Sequence, residues 1–265
     1  MKAGFIGAGK MAEAIITALI GSKVLDAHAV FACDISRARR DHIRRSCGVN
    51  VYSRSLSVVD ACDVVFLAVK PQDLDAVLAG IAPRVNGGHL VVSIVAGKRV
   101  VAIESVLSQA RVVRVMPNLA SVVGEGMSAF CAGQRATPAD RKTTARLLAS
   151  FGRVVELPES RFDAVTALSG SGPAFFAYVL ELLVRAAVEE GLAREDAVLL
   201  AEQTMLGTSR VLIEQGTDPH EFIKAVASPG GTTEAGLKVL DRSDIADTIR
   251  RTIAAAAARS RELSA

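Results

Sequence analysis

Charge of one sign is scarce in this chain: Lys plus Arg exceeds Asp plus Glu by only 31 − 28 = 3. An excess that small, evenly spread except for Arg37, Arg39 and Arg40, argues against a polynucleotide partner. The four cysteines, Cys33, Cys47, Cys62 and Cys131, show no C-x-x-C spacing and no nearby histidine pair. No metal site is expected, and reduced, buried thiols are. The four histidines, His28, His42, His89 and His220, lie in no catalytic motif and are expected to be structural or superficial. No uninterrupted apolar run reaches the roughly 20 residues a membrane span needs. The first six residues lead straight into a glycine-rich turn, leaving no room for a signal peptide, so a cytoplasmic location is expected.

Hydrophobic residues make up 50% of the chain, enough to bury a sizeable core in one large or two modest domains. Short β-branched runs at 3–6, 29–33, 63–69, 89–95 and 112–116 alternate with helical patterns at 10–20, 36–46, 72–81 and 100–108. Strands separated by helices pair in parallel through right-handed crossovers, which predicts a Rossmann-like, doubly wound α/β sheet. Further strands are expected at 126–132 and 153–157, flanking a helix opened by Thr137 and Pro138. Beyond Pro158 the β-runs vanish and helical spacing holds to the end, with helices expected from Ser171, across 196–212 and across 219–227. The reading is a dinucleotide-binding domain over 1–159 and an all-α domain over 160–265. The second is rich in Ala and Leu on more than one face, which predicts a partner subunit.

Chemistry is concentrated at strand ends and helix starts. Gly7-Ala8-Gly9-Lys10-Met11-Ala12 follows a strand and opens a helix, the setting in which glycines give a tight turn and admit a pyrophosphate to the backbone. Ala12, in place of a third glycine, still permits close helix packing. Asp34 ends the second strand, where a carboxylate accepts from the ribose hydroxyls of NAD, yet Ser36 and Arg37 suit the extra phosphate of NADP. Both cofactors stay open, with NADP(H) favoured. Ala68, Val69, Lys70 and Pro71, then Val95, Ala96 and Gly97, then Met116, Pro117 and Asn118 end further strands, where such sheets bind ligands. Near the other end of the chain, Ser228-Pro229-Gly230-Gly231-Thr232-Thr233 runs into a helix start whose amides and hydroxyls suit a small carboxylate.

Taken in order, these segments resemble pyrroline-5-carboxylate reductases over nearly the whole chain. The carriers are the glycine loop, Phe66-Leu67-Ala68-Val69-Lys70-Pro71, Met116-Pro117-Asn118, Leu168-Ser169-Gly170-Ser171-Gly172-Pro173 and the Ser228 to Thr233 turn. The resemblance implies NAD(P)H-dependent reduction of 1-pyrroline-5-carboxylate to L-proline, the last step of proline biosynthesis. It implies a homodimer through the C-terminal helices, assembled further in many members, with each active site completed by the partner's helices. It also implies that Ser228, Gly230, Gly231 and Thr232 grip the substrate carboxylate while the Thr233 hydroxyl lies beside the ring nitrogen. Asn118 itself is read as positioning the nicotinamide amide or the substrate, or as satisfying a turn, and by the resemblance Ser55 stands where the family often has an asparagine on the adenosine ribose. Leu119 and Ala120 replace the family's usual Thr-Pro.

Two other classes are weighed. The β-hydroxyacid dehydrogenases share the outline but carry a catalytic lysine on a helix of the second domain, whereas Lys224 and Lys238, the lysines of this helical half, lie in no such motif. A non-catalytic nucleotide sensor would show an eroded substrate turn, and residues 228–233 are intact.

Overall fold

The structure is a computed structural model and describes residues 1–264. It opens with β1 (Ala3–Ile6), α1 (Lys10–Gly21), β2 (Val30–Cys33), α2 (Arg37–Cys47), β3 (Asn50–Tyr52), α3 (Ser55–Ala61), β4 (Val64–Leu67), α4 (Leu74–Ile81), β5 (Leu90–Ser93), α5 (Val100–Val106) and β6 (Arg111–Met116). Then come β7 (Gly126–Ala132), α6 (Pro138–Leu148), β8 (Gly152–Glu156) and α7 (Phe162–Val165). One sheet holds all eight strands in the order β3-β2-β1-β4-β5-β6-β7-β8. The six strands before β7 run parallel, as doubly wound chains do when each strand returns through a helix.

Strand β7 runs antiparallel to β6, with Met116 opposite Ala129. The connection between them holds only the 3₁₀ turn Leu119–Val123, too little chain for a parallel crossover. Strand β3 was not expected from the sequence; three half-buried residues give no periodic signal, and it forms because Phe31 and Cys33 pair with Asn50 and Tyr52. Strand β4 ends at Leu67, short of residue 69, freeing Ala68 and Val69 for the loop.

Two apolar clusters sandwich the sheet. On one face Phe5 stacks on Phe66 with centroids 4.6 Å apart, packed with Ile15, Ile16 and Leu19 of α1. On the other, Leu74, Leu78 and Ile103 of α4 and α5 cover Val65, Leu67 and Val91. Cys33, Cys62 and Cys131 are buried and free, while Cys47 is half-buried; burial pushes the Cys62 and Cys131 thiols up to about 12.

The described chain forms two compact units, Met1–Ser171 with the stretch from Ala256 onward, and Gly172–Ala255. Strands end at Glu156, but Phe162 and Ala167 stay buried in the first unit, which is why its packing runs on to Ser171. The π-helical turn Thr166–Gly170 follows α7, closed by the Ser171 N–H donating to the Thr166 carbonyl at 2.8 Å. In the second unit lie α8 (Gly172–Glu189), α9 (Arg194–Gln215), α10 (Pro219–Val226), α11 (Thr232–Arg242) and the first part of α12 (Ile245–Ser264). Its buried apolar side chains, among the described residues, are Val184 and Ala197, whereas Phe176, Tyr178, Leu183, Leu199, Leu200 and Val239 are exposed. The helical run Glu159–Glu189 is long and apolar enough by composition to cross a membrane. Its apolarity lies on these uncovered faces.

Candidate functional site

Gly7 leaves β1 at φ +92°, and a Cβ built on it would lie 2.5 Å from the Ala68 carbonyl oxygen, so glycine is required by both torsion and space. Gly9 caps α1 without a side chain, and nothing would meet a Cβ there within 4 Å. The first intrahelical donor is Glu13, whose N–H reaches Gly9 at 2.9 Å. The amides of Lys10, Met11 and Ala12 precede it at the positive end of the helix, beside an open surface. An anionic diphosphate fits that mouth.

The loop is held in shape by residues of β2 and α2. The Ala8 N–H donates to Asp34 Oδ2 at 2.9 Å, and the Ala8 carbonyl accepts from Arg39 Nε. Both backbone polar groups of Ala8, one from each peptide that flanks its Cα, are thus fixed before any ligand arrives. Arg39 also pairs with Glu13, and His42 Nε2 lies 2.7 Å from the other Glu13 oxygen. Burial pushes the Glu13 carboxyl up, but the hydrogen bonds from His42 and Arg39 outweigh it and hold its pKa below the ordinary value. Arg40 donates to the Asp34 carbonyl at 2.7 Å.

Asp34 Oδ1 accepts from the Ser36 N–H at 2.8 Å, so each of its oxygens already serves the backbone. Ser36 caps α2 by accepting from the Arg39 N–H. Of the three clustered arginines, two are therefore structural, and Arg37 is the one that reaches solvent, its side chain 88% exposed. Ser55 opens α3 and accepts a long contact from Cys33 Sγ at 3.8 Å, beneath the same strand end.

Lys70 and Pro71 are exposed after β4, Val95 is buried after β5, and Ala96 stands exposed beside it. Asn118 follows β6; its Oδ1 accepts from the Met127 N–H at 3.1 Å and its Nδ2 donates to Ser169 Oγ at 3.4 Å. One amide hydrogen of Asn118 remains for a further partner. Gly170 packs against the Met116 side chain, so the π-helical turn abuts the end of β6. Such turns recur near functional sites. The first unit therefore gathers Gly7 to Ala12, Asp34, Ser36, Arg37, Ser55, Ala68 to Pro71, Val95 to Gly97 and Asn118 along the carboxyl ends of its parallel strands.

In the second unit, Gly231 caps α11 without a side chain, followed by exposed Thr232 and half-buried Thr233. The turn is closed by the Gly231 N–H donating to the Ser228 carbonyl at 3.0 Å. Glu234 reaches back to accept from the Gly230 N–H at 2.6 Å and pairs with Lys238 at 2.9 Å. The Lys238 ammonium, then the Gly230 amide, hold its carboxyl below the ordinary range. Sequence reasoning passed over Glu234, although an acid three residues after a helix cap is a recognisable signal. Arg39, grouped in the sequence with Arg37 and Arg40, turns instead to Ala8 and Glu13, which no local signal announces because these partners are far away in sequence. Lys224 pairs with Glu221 in the open, so neither lysine of this unit is desolvated as a proton-abstracting amine would be.

A concavity of about 530 Å³ lies elsewhere, between α5 and β8. Glu104, Glu156 and Glu159 line it with Arg141, which pairs with Glu156, and this net negative lining does not suit an anionic coenzyme.

A family model described as pyrroline-5-carboxylate reductase dimerisation matches residues 159–263, and one described as NADP oxidoreductase, coenzyme F420-dependent, matches residues 2–97. A pyrroline-5-carboxylate reductase of Arabidopsis thaliana is 40% identical, over 99% of this chain and 95% of its own length. The solved structure of a pyrroline-5-carboxylate reductase from Coxiella burnetii superposes with a TM-score of 0.95 at 32% identity, covering 100% of this chain and 98% of that one. The Plasmodium falciparum pyrroline carboxylate reductase, solved with NADP bound, gives 0.89 at 28% identity with the same coverage.

Proposed function

The chain belongs to the pyrroline-5-carboxylate reductase family, and we propose that it reduces the C=N bond of 1-pyrroline-5-carboxylate to give L-proline, the last step of proline biosynthesis. The nicotinamide coenzyme, NADPH in preference to NADH, supplies the hydride when bound. Carrying this reading is a pair of glycine-capped helices, α1 and α11, each presenting first-turn amides to an anion. One suits a pyrophosphate and the other a carboxylate.

Gly7, Ala8, Gly9, Lys10, Met11 and Ala12 hold the pyrophosphate through backbone amides. Asp34 keeps the loop in register, Ser36 and Arg37 bind the 2′-phosphate, and Ser55 borders the ribose. Ala68, Val69, Lys70 and Pro71 flank the coenzyme, while Val95, Ala96 and Gly97 offer a flat, small-residue wall to the nicotinamide. Ser228, Gly230, Gly231 and Thr232 bind the substrate carboxylate, and Asn118 offers its remaining amide hydrogen to bound substrate. Thr233 places its hydroxyl at the ring nitrogen. The substrate enters as a protonated imine, so the nitrogen already carries the proton that the amine keeps and no histidine acid is needed. Thr233 orients that N–H and, with water, passes protons between nitrogen and solvent. Most of the rate gain comes from positioning.

The division of labour follows residues 1–159 for the coenzyme and 160–265 for substrate and assembly. The uncovered faces of α8 and α9 form a homodimer, which can assemble further, and the enzyme works in the cytoplasm. Loss of reduced-nicotinamide absorbance tests the reading. Turnover with 1-pyrroline-5-carboxylate, faster with NADPH than NADH at low coenzyme, is expected; no turnover with either coenzyme overturns it.

A further inference from the structure

The loop joining β5 to α5 is fastened near both ends. Lys98 Nζ lies 3.2 Å from Asp75 on α4, and the Val100 N–H donates to Glu159 Oε1 at 2.8 Å. The same Glu159 oxygen accepts from the buried Arg114 at 2.8 Å, whose guanidinium lies 4.8 Å from the centre of the Phe162 ring. What remains between β5 and these anchors is residues 94–97, which include Val95 to Gly97, the segment assigned above to the nicotinamide.

That segment is held from the far end of the sequence. Gly97 sits at φ +73°, and a Cβ built on it would lie 2.7 Å from the Leu263 carbonyl oxygen. The last turn of α12 thus meets the loop backbone to backbone. This turn is itself pinned: Ser260, only 6% exposed, donates its Oγ to Asp163 Oδ1 at 2.7 Å, and Ser264 Oγ donates to the Ser260 carbonyl at 2.8 Å. Asp163 belongs to α7, beside buried Phe162. A chain of direct contacts therefore runs from Asp163 through Ser260 and Leu263 to Gly97.

We propose that Ser260 and Leu263 are positioning residues for the nicotinamide half of the coenzyme: the Ser260–Asp163 bond sets where α12 ends, and the Leu263 backbone sets where Gly97 lies. The inference rests on Val95 to Gly97 facing the nicotinamide. A loop pressed against a fixed carbonyl presents its wall ready-made, and a displacement near 1 Å at such a wall costs up to about a hundredfold in rate.

Three full-length or near full-length proteins test it: Ser260→Ala, Ser260→Thr and a truncation after Arg259. Their readouts are amide exchange across residues 96–100, dissociation constants for NADPH and for adenosine 2′,5′-bisphosphate, which lacks the nicotinamide, and kcat. Ser260→Ala and the truncation should speed exchange at 96–100, weaken NADPH and lower kcat by about tenfold, and leave the bisphosphate within about twofold. Ser260→Thr, which keeps the hydroxyl, should restore both. Unchanged exchange and unchanged NADPH affinity in folded variants overturn the proposal, as does equal weakening of both ligands. If the wild-type protein binds neither ligand, it is the coenzyme reading that has failed. Exchange at 96–100 alone then decides whether the anchor exists.

Discussion

Phe66 and Leu199 are both large apolar side chains inside regular elements, yet Phe66 is fully buried against Phe5 and Leu199 is 66% exposed on α9. The same contrast runs through their units. Around the sheet, two clusters cover both faces, and the inner strands β1, β2, β4 and β5 are continuous buried runs, as strands covered on both sides must be. Among α8 to α11, Phe176, Tyr178, Leu183 and Leu199 face outward from helices that bury almost nothing of that size. A soluble monomer seldom displays so much apolar surface: one unit covers its apolar faces within its own chain, and the other leaves open the faces proposed above to form the homodimer.

The contrast breaks first at Phe66. Phe66→Ala should cost about 3–5 kcal/mol and lower Tm at every protein concentration, because the stacked ring pair and the cavity belong to one chain. If its cost varied with concentration, the sheet-bearing unit would not be self-sufficient.

Thr233→Ala comes next, probing the helical unit's chemistry and not its packing. We expect kcat to fall about a hundredfold while the dissociation constant for NADPH stays within about twofold. Normal turnover in this variant removes Thr233 from the mechanism.

Leu199→Ala should cost about 2 kcal/mol when the protein is concentrated and nearly nothing when dilute, since an interface contact counts only in the assembled state. Thermal unfolding over a concentration series checks it; a small, constant effect would mark Leu199 as ordinary surface. Arg37→Ala should be mildest, raising the NADPH KM about tenfold with no change for NADH, the loss of one charged hydrogen bond to a phosphate. Equal changes with both coenzymes would show that Arg37 does not read the 2′-phosphate.

What was legible in the sequence was local. Ala3 to Ile6 followed by Gly7 and Gly9 announces strand, turn and helix because every signal lies within ten residues, and the structure follows it. The Pro229-Gly230-Gly231 turn before Thr232 is legible for the same reason. What escaped was made by distant partners. Strand β3 exists because β2 offers a free edge, and β7 runs antiparallel because its connection is too short to cross over. Arg39 looks like a solvated arginine until the fold brings it to the Ala8 carbonyl. Residues 168–173 carry the Ser, Gly and Pro signals of a cap, yet the chain is already helical from Phe162 and widens into a π turn over Thr166–Gly170. Tight packing of Gly170 on Met116, invisible in sequence, accompanies that widening.

The comparison between the units comes down to whether chemistry needs the association that the helical unit invites. Turnover of 1-pyrroline-5-carboxylate with NADPH, followed across a dilution series with the mass of the particle measured alongside, tests this directly. Turnover per chain should be full in the dimer and fall in step with its dissociation. Undiminished turnover by a monomer, or no turnover at any concentration, would contradict it.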